Sequence, residues 1–155
     1  MKYIFAFDLS LKNTGIVIFC EDGTIEAICS ILTKDKDTHG KRLKVIADKM
    51  LELREKYDVK IVIIERAFSR FNISTAVLYR VHGLINYLFY DIEQIYYAPK
   101  SIKEKILKGN ATKKQIQEKI LKVYPHEVFL NEDESDAFSV GLSYFIDKGI
   151  INWVK

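Results

Sequence analysis

The chain has 155 residues and a net charge of +3; 48% of it is hydrophobic and 29% charged, with seven glycines and two prolines. That length suits one domain with a real core, and the mixture excludes a disordered, collagen-like or low-complexity chain. The longest apolar runs, such as Ile61 to Ile64, fall far short of the roughly 20 residues a membrane span needs, and Asp8 interrupts the first apolar stretch too early for a signal peptide. The expectation is a soluble, cytoplasmic protein forming a single domain over 1–155.

Residues 3–9 are apolar and β-prone, and read as a first strand carrying Asp8 near its end. Residues 14–20 make a second strand, Glu21-Asp22-Gly23 a hairpin turn, and 24–32 a third, antiparallel strand. A polar loop over 34–41 leads into a helix over 40–57, on which Leu43, Ile46, Ala47, Met50, Leu51 and Leu53 recur at helical spacing. Residues 60–65 are apolar on both faces, as in a buried strand with parallel neighbours. A short polar and aromatic connection covers 69–72. Ser74 is then placed to cap a helix to residue 90 with Val77, Leu78, Val81, Leu84, Ile85 and Leu88 as its core stripe. A fifth strand spans 94–97, lysine-rich helices follow over 100–107 and 112–123, and the last helix starts after Asn131, which with Glu134 resembles a capping box. Three antiparallel strands followed by strand–helix alternation predict an α/β fold: a mixed five-stranded sheet flanked by helices, in the RNase H-like layout.

Cys20 and Cys29 form no Cys-x-x-Cys pair, and His39, His82 and His126 are scattered, so neither a zinc site nor a disulfide is expected. Charge is distributed more tellingly. Between residues 100 and 122 lie eight lysines against Glu104 and Glu118, followed by the acidic group Glu132, Asp133, Glu134 and Asp136. A basic segment beside a carboxylate nest suits a polyanion held next to a divalent metal, although a lysine-rich helix is ordinarily only a solvated face.

The sharpest feature is acid inside apolar strands. Asp8 sits in Phe-Ala-Phe-Asp-Leu, and Glu65 ends Ile-Val-Ile-Ile. A buried, unpaired carboxylate is costly, so such residues are paired, protonated or bound to metal. Either alone reads best as a loop anchor; two at the ends of adjacent strands strain that explanation. Asp133 and Asp136, three apart at a helix start, share one face. Helix N-terminal charge stabilisation accounts for them separately, but not for acids arriving from three elements. Hard divalent cations relieve the resulting repulsion, and two ions can clamp both oxygens of a phosphodiester under attack by water. Glu132 and Glu134 are expected to point elsewhere.

At these residues the chain resembles a known family. Asp8-Leu9-Ser10-Leu11-Lys12-Asn13-Thr14-Gly15 is similar to the first motif of RuvC-type Holliday junction resolvases, Ile63-Ile64-Glu65-Arg66-Ala67-Phe68 to the second, and Asp133-Glu134-Ser135-Asp136-Ala137 to the last. Ala98-Pro99-Lys100-Ser101-Ile102-Lys103, followed by Gly109-Asn110-Ala111-Thr112-Lys113, is similar to the family's lysine-bearing segment. The resemblance implies a homodimer that uses Mg²⁺, with Mn²⁺ as a substitute and two ions per site, to place paired nicks across four-way and other branched DNA. It makes Asp8, Glu65, Asp133 and Asp136 the metal ligands and assigns Lys103 and Lys113 to the developing negative charge. Phe68 would stack on an opened base, with Arg66, Arg70, Lys100 and Lys114 as further DNA contacts. Leu9-Ser10 stands where many members have Pro-Gly, and the compact chain is closest in character to short phage-encoded members acting in a host cytoplasm. Those departures weaken the expectation of strict junction specificity and of coupling to a branch-migration motor.

A second stripe on the 74–90 helix, comprising Ala76, Tyr79 or Arg80, Gly83, Tyr87 and Tyr90, suits a helix-on-helix interface, or equally a cover for the sheet's edge. Two competing functions stay open: an RNase H-like RNA nuclease of YqgF type, and a non-catalytic junction-binding protein. A sugar-kinase-like ATPase would need a second nucleotide-binding lobe that 155 residues cannot hold.

Overall fold

The computed structural model describes residues 1–67 and 73–155. Ten elements follow in chain order: β1 (Tyr3–Asp8), β2 (Asn13–Cys20), β3 (Ile25–Leu32), α1 (His39–Lys56), β4 (Val59–Glu65), α2 (Ile73–Leu88), β5 (Glu93–Tyr97), α3 (Pro99–Ile106), α4 (Lys113–Val123) and α5 (Glu132–Asp147). The sheet order is β3-β2-β1-β4-β5. β1, β2 and β3 pair antiparallel, whereas β4 pairs parallel with β1 and with β5. This is the mixed sheet that the strand pattern predicts.

Alternation along the strands divides the core in two. Ile4, Ala6, Val17, Phe19, Ile61 and Ile63 face α3, α4 and α5. Phe5, Phe7, Ile16, Ile18, Val62 and Ile64 face α1 and α2. The same period decides where the strand acids go. Asp8 continues the series 4, 6 and Glu65 the series 61, 63, so both lie on the α5 side. Phe7 pairs with Ile64, which makes Asp8 and Glu65 the next neighbours in that register.

α5 crosses this face almost entirely buried from Glu134 to Phe145. Its close approach depends on missing side chains. A Cβ on Gly141 would stand 2.2 Å from the Phe19 ring, and one on Gly15 would stand 1.9 Å from the Asp133 carbonyl oxygen. The buried hydroxyls of Ser139 and Ser143 donate to the carbonyls of Ser135 and Ser139, so that the apolar interior meets no unpaired hydroxyl there.

Local differences from the sequence expectation have physical causes. α2 begins at Ile73, which puts Ser74 inside the first turn instead of at the cap; the expected connection at 69–72 lies outside the described residues. α1 begins after Thr38, whose hydroxyl accepts from Lys41 N at 3.3 Å. Leu51 is 45% exposed, while Arg42 is 9% exposed on the inner face because Thr33 and Asp35 accept its guanidinium hydrogens. Cys20 and Cys29 are free thiols. Among the described residues no helix is long and apolar enough to cross a membrane.

Gly15→Ala should force the start of α5 away from β2. We expect a loss of about 1–3 kcal/mol, read as a lower urea midpoint in equilibrium unfolding; an unchanged midpoint would show that α5 does not seat as described.

Candidate active site

The site forms where β1 and β4 end beneath α5. Asp8, Glu65 and Asp136 line one cavity of about 180 Å³ together with Lys103, Lys113, Pro99, Ile102, Ile116 and Ser139. Acids from two strands and one helix thus meet two lysines from two further helices. Asp133, one turn before Asp136, stands at the side of this group, where its Oδ2 accepts from Asn13 Nδ2 at 2.7 Å.

Each supporting element is fixed locally. The turn after Asp8 is braced by side chains: Ser10 Oγ donates to Asn13 O at 2.7 Å, and Thr14 Oγ1 donates to Ser10 O at 2.8 Å. No non-glycine residue among those described has positive φ, so Ser10 fills its place without strain. α5 starts at Asn131, whose Oδ1 accepts from Glu134 N at 3.0 Å, while Glu134 reaches back to Leu130 N at 2.7 Å. The reciprocal bond therefore falls one residue earlier than in a standard capping box. Glu134, 1% exposed, is an anchor of the helix start. α4 has a complete capping box between Thr112 and Gln115, and its first residue is Lys113.

Burial and mutual repulsion govern the charges. Withdrawal from water, reinforced by Glu65, Asp136 and Asp133, pushes Asp8 up to about 8. Glu65 rises to about 7 through burial and the charge of Asp136, against the pull of Lys113 and Lys103. The Lys113 ammonium is ion-paired to Asp136. Burial opposes its charge, but that hydrogen bond and the charges of Asp136, Asp8 and Glu132 outweigh it and hold its pKa above the ordinary value.

Other expected contacts are spread around this centre. Lys114 lines an adjoining cavity with Lys113, Gln117, Glu132, Ser135 and Asp136. Lys100 is exposed and lies 3.8 Å from Glu104. Arg66 is exposed, its backbone N–H donating to Tyr97 O at 2.7 Å, and it lines a separate cavity of about 640 Å³ with Tyr79, His82, Asn86 and Tyr96. Phe68 and Arg70 lie outside the described residues. Asn13 is the residue that motif reading passed over; its place within the Asp8–Gly15 segment was the available signal.

As arranged, no three Asp, Glu, His or Cys side chains among the described residues close around one point; Asp136 is held by Lys113 and Asp133 by Asn13. The donor chemistry nevertheless fits a hard divalent cation: the acids offer carboxylate oxygens, and burial first and their mutual repulsion second raise Asp8 and Glu65.

The family model for "Crossover junction endodeoxyribonuclease RuvC" matches residues 4–144. No curated protein matches the chain in sequence. Among solved structures it is similar to the Thermus thermophilus RuvC in complex with Holliday junction substrate (TM-score 0.82, 12% identity, 96% of each chain covered). A second structure of Thermus thermophilus RuvC gives a TM-score of 0.80 at 16% identity, over 96% of this chain and 97% of that one. The fowlpox virus resolvase in complex with Holliday junction DNA gives 0.60 at 16% identity, over 96% and 99% respectively. At these identities the likeness is one of fold.

The raised acids carry a stability consequence with a definite sign. A carboxyl whose folded pKa exceeds its unfolded value supports folding below about pH 4 and loses that support as the pH climbs toward 8. With chelator present, Asp8→Asn should therefore raise the melting temperature by about 3 °C or more at pH 8, and the gain should vanish near pH 4. A calorimetric series across that range checks it; a pH-independent difference would mean that Asp8 is not held in a charge-averse setting.

Proposed function

The chain belongs to the RuvC family of crossover junction endodeoxyribonucleases, and from that premise we propose that it resolves four-way DNA junctions by paired hydrolytic nicks, using Asp8, Glu65, Asp133 and Asp136 as its acidic centre. The observation that carries this reading is the convergence of Asp8, Glu65 and Asp136 on one cavity with Lys103 and Lys113. A protein that only bound phosphates would gain nothing from acids that repel them, which disfavours the non-catalytic alternative. The family match favours DNA junctions over RNA.

In this mechanism the four carboxylates would hold divalent cations, Mg²⁺ or Mn²⁺ and two per site, and that group would supply charge neutralisation and a lowered pKa for the attacking water. Ionisation of Asp8 and Glu65 prepares the site, since only the deprotonated forms ligate. Lys113 and Lys103, which line the same cavity, face the phosphate and offset the negative charge that grows during attack. Arg66, Lys100 and Lys114 follow the strand outward from the cut, with Phe68 and Arg70 assigned to the junction centre by motif.

Symmetric resolution needs two sites related by a two-fold axis. We assign that interface to the outer face of α2 and the turn after it, where Tyr79 and Tyr87 on the helix and Tyr90 just beyond it are 49%, 74% and 79% exposed and Gly83 leaves open space for a partner helix. Forks and other branched DNA fall within reach of the same centre. The motif set contains nothing that calls for a branch-migration motor.

The deciding assay follows a four-way junction beside linear duplex, a fork and an RNA–DNA hybrid, with Mg²⁺, Mn²⁺ or chelator. Asp8→Asn should lower junction cleavage by more than about 100-fold with binding retained, and Lys113→Ala should slow cutting by about 100-fold with a smaller loss in binding. Preserved turnover in the Asp8 variant, or cutting confined to the hybrid, would overturn the assignment. Tyr87→Glu should shift the protein to monomers in sedimentation and replace paired nicks by single ones; an unchanged dimer would move the interface elsewhere.

A further inference from the structure

Asn13 opens β2 just after the turn that follows Asp8, and its side chain reaches across to α5, donating from Nδ2 to Asp133 Oδ2 at 2.7 Å. The turn holds residue 13 through main-chain atoms alone. Ser10 Oγ accepts from Asn13 N at 2.9 Å and donates to Asn13 O at 2.7 Å. The side chain is therefore not needed to form the turn. Its second polar atom, Oδ1, is buried and, among the described residues, is the one buried side-chain N or O atom without a hydrogen-bond partner.

That combination is unfavourable for a residue with only a structural task. A buried unpartnered amide oxygen lowers stability, and offsets part of what the bond from Nδ2 to Asp133 contributes. Stability given up beside an acidic centre indicates a group retained for what it does to that centre. The chemistry of the contact is also selective. Lys113 meets Asp136 with a charge, whereas the group that fixes the Asp133 carboxylate is a neutral amide.

We propose that Asn13 is a positioning residue: its amide pins one oxygen of Asp133 so that this carboxylate is oriented toward a divalent cation before the ion arrives. The inference rests on Asp133 being a metal ligand, as assigned above. Outer-shell partners of ligating carboxylates act in this way, and their loss weakens metal binding by about 10- to 100-fold.

The test uses the full chain carrying Asn13→Leu, with Mn²⁺ affinity measured by electron paramagnetic resonance of the free ion. Melting in chelator, junction binding in chelator and junction cleavage across a Mn²⁺ series accompany it. We expect Mn²⁺ affinity to fall by about 10- to 100-fold and the Mn²⁺ needed for half-maximal cleavage to rise in parallel. The rate should recover at high Mn²⁺, junction binding should hold, and the variant should still melt cooperatively in chelator. Unaltered Mn²⁺ affinity, a rate loss that high Mn²⁺ does not restore, or a wild-type protein that binds no Mn²⁺ would each overturn the proposal. Should Asn13→Leu not fold, Asn13→Ser keeps the main-chain bonds of the turn while its hydroxyl stops short of Asp133, and the same readouts apply. A wild-type protein that leaves every junction intact, with the affinity loss in Asn13→Leu still present, would refute the nuclease reading and leave the positioning role standing.

Discussion

The carboxylates of Asp8 and Glu65 stand at the ends of adjacent parallel strands, drawn partly out of water and turned toward Asp136, and the repulsion among them is the constraint on which the surrounding structure depends. Left to itself, such a group would separate or drag in solvent. Here the strand register cannot relax: moving either acid off the α5 face means slipping its strand by one residue and turning Ile4, Ala6, Ile61 and Ile63 out of the core. The hydrophobic pattern of the sheet thus enforces a charge arrangement that electrostatics alone would refuse.

α5 is the second half of that enforcement. It carries Asp133 and Asp136 onto the same face, and it comes close enough only because Gly15 and Gly141 present no side chain to it. Gly15 pairs directly with Asp8, so the backbone clearance that admits α5 lies across from the strand acid itself. The lysines come from short helices held by Ile102, Ile106, Ile116 and Ile120, and Trp153 ties α3 down by donating its indole N–H to Ile106 O at 2.8 Å. Acids are therefore mounted on the sheet and its central helix, and cations on smaller helices with fewer core contacts.

Most of this arrangement is legible in the sequence because it rests on local signals. Periods of two and of 3.6 mark the strands and helices, and the placing of acids within apolar strands singles out Asp8 and Glu65. Where the sequence misleads, the deciding contact is distant along the chain. Leu51 fits the stripe of α1 by spacing but is exposed, and Arg42 joins Ile46, Met50 and Leu53 on the inner face through Thr33 and Asp35. Ser74 has the chemistry of a cap, yet α2 starts one residue before it. Asn13 resembles ordinary turn composition, since its partner Asp133 lies 120 residues away. The ion pair of Lys113 with Asp136 is equally invisible in the sequence, because it needs the relative placement of α4 and α5.

With only its own atoms to draw on, the protein manages these four negative charges in three ways. Protons suit Asp8 and Glu65, whose pKa values lie near neutrality; an ammonium serves Asp136; a neutral amide serves Asp133. The first two are exchangeable. A proton leaves to solvent, and Lys113 occupies the first position of α4, where the helix dipole opposes a cation and the capping box between Thr112 and Gln115 secures the helix start without it. Among the described residues it is the acids that retain that ammonium. The amide contact is different in kind, for it carries no charge and is not competed away by one. The proton-holding and ammonium-holding acids thus share a single charge balance, fixed by how far the sheet pulls its acids from water, and the contact between Asn13 and Asp133 stands outside it.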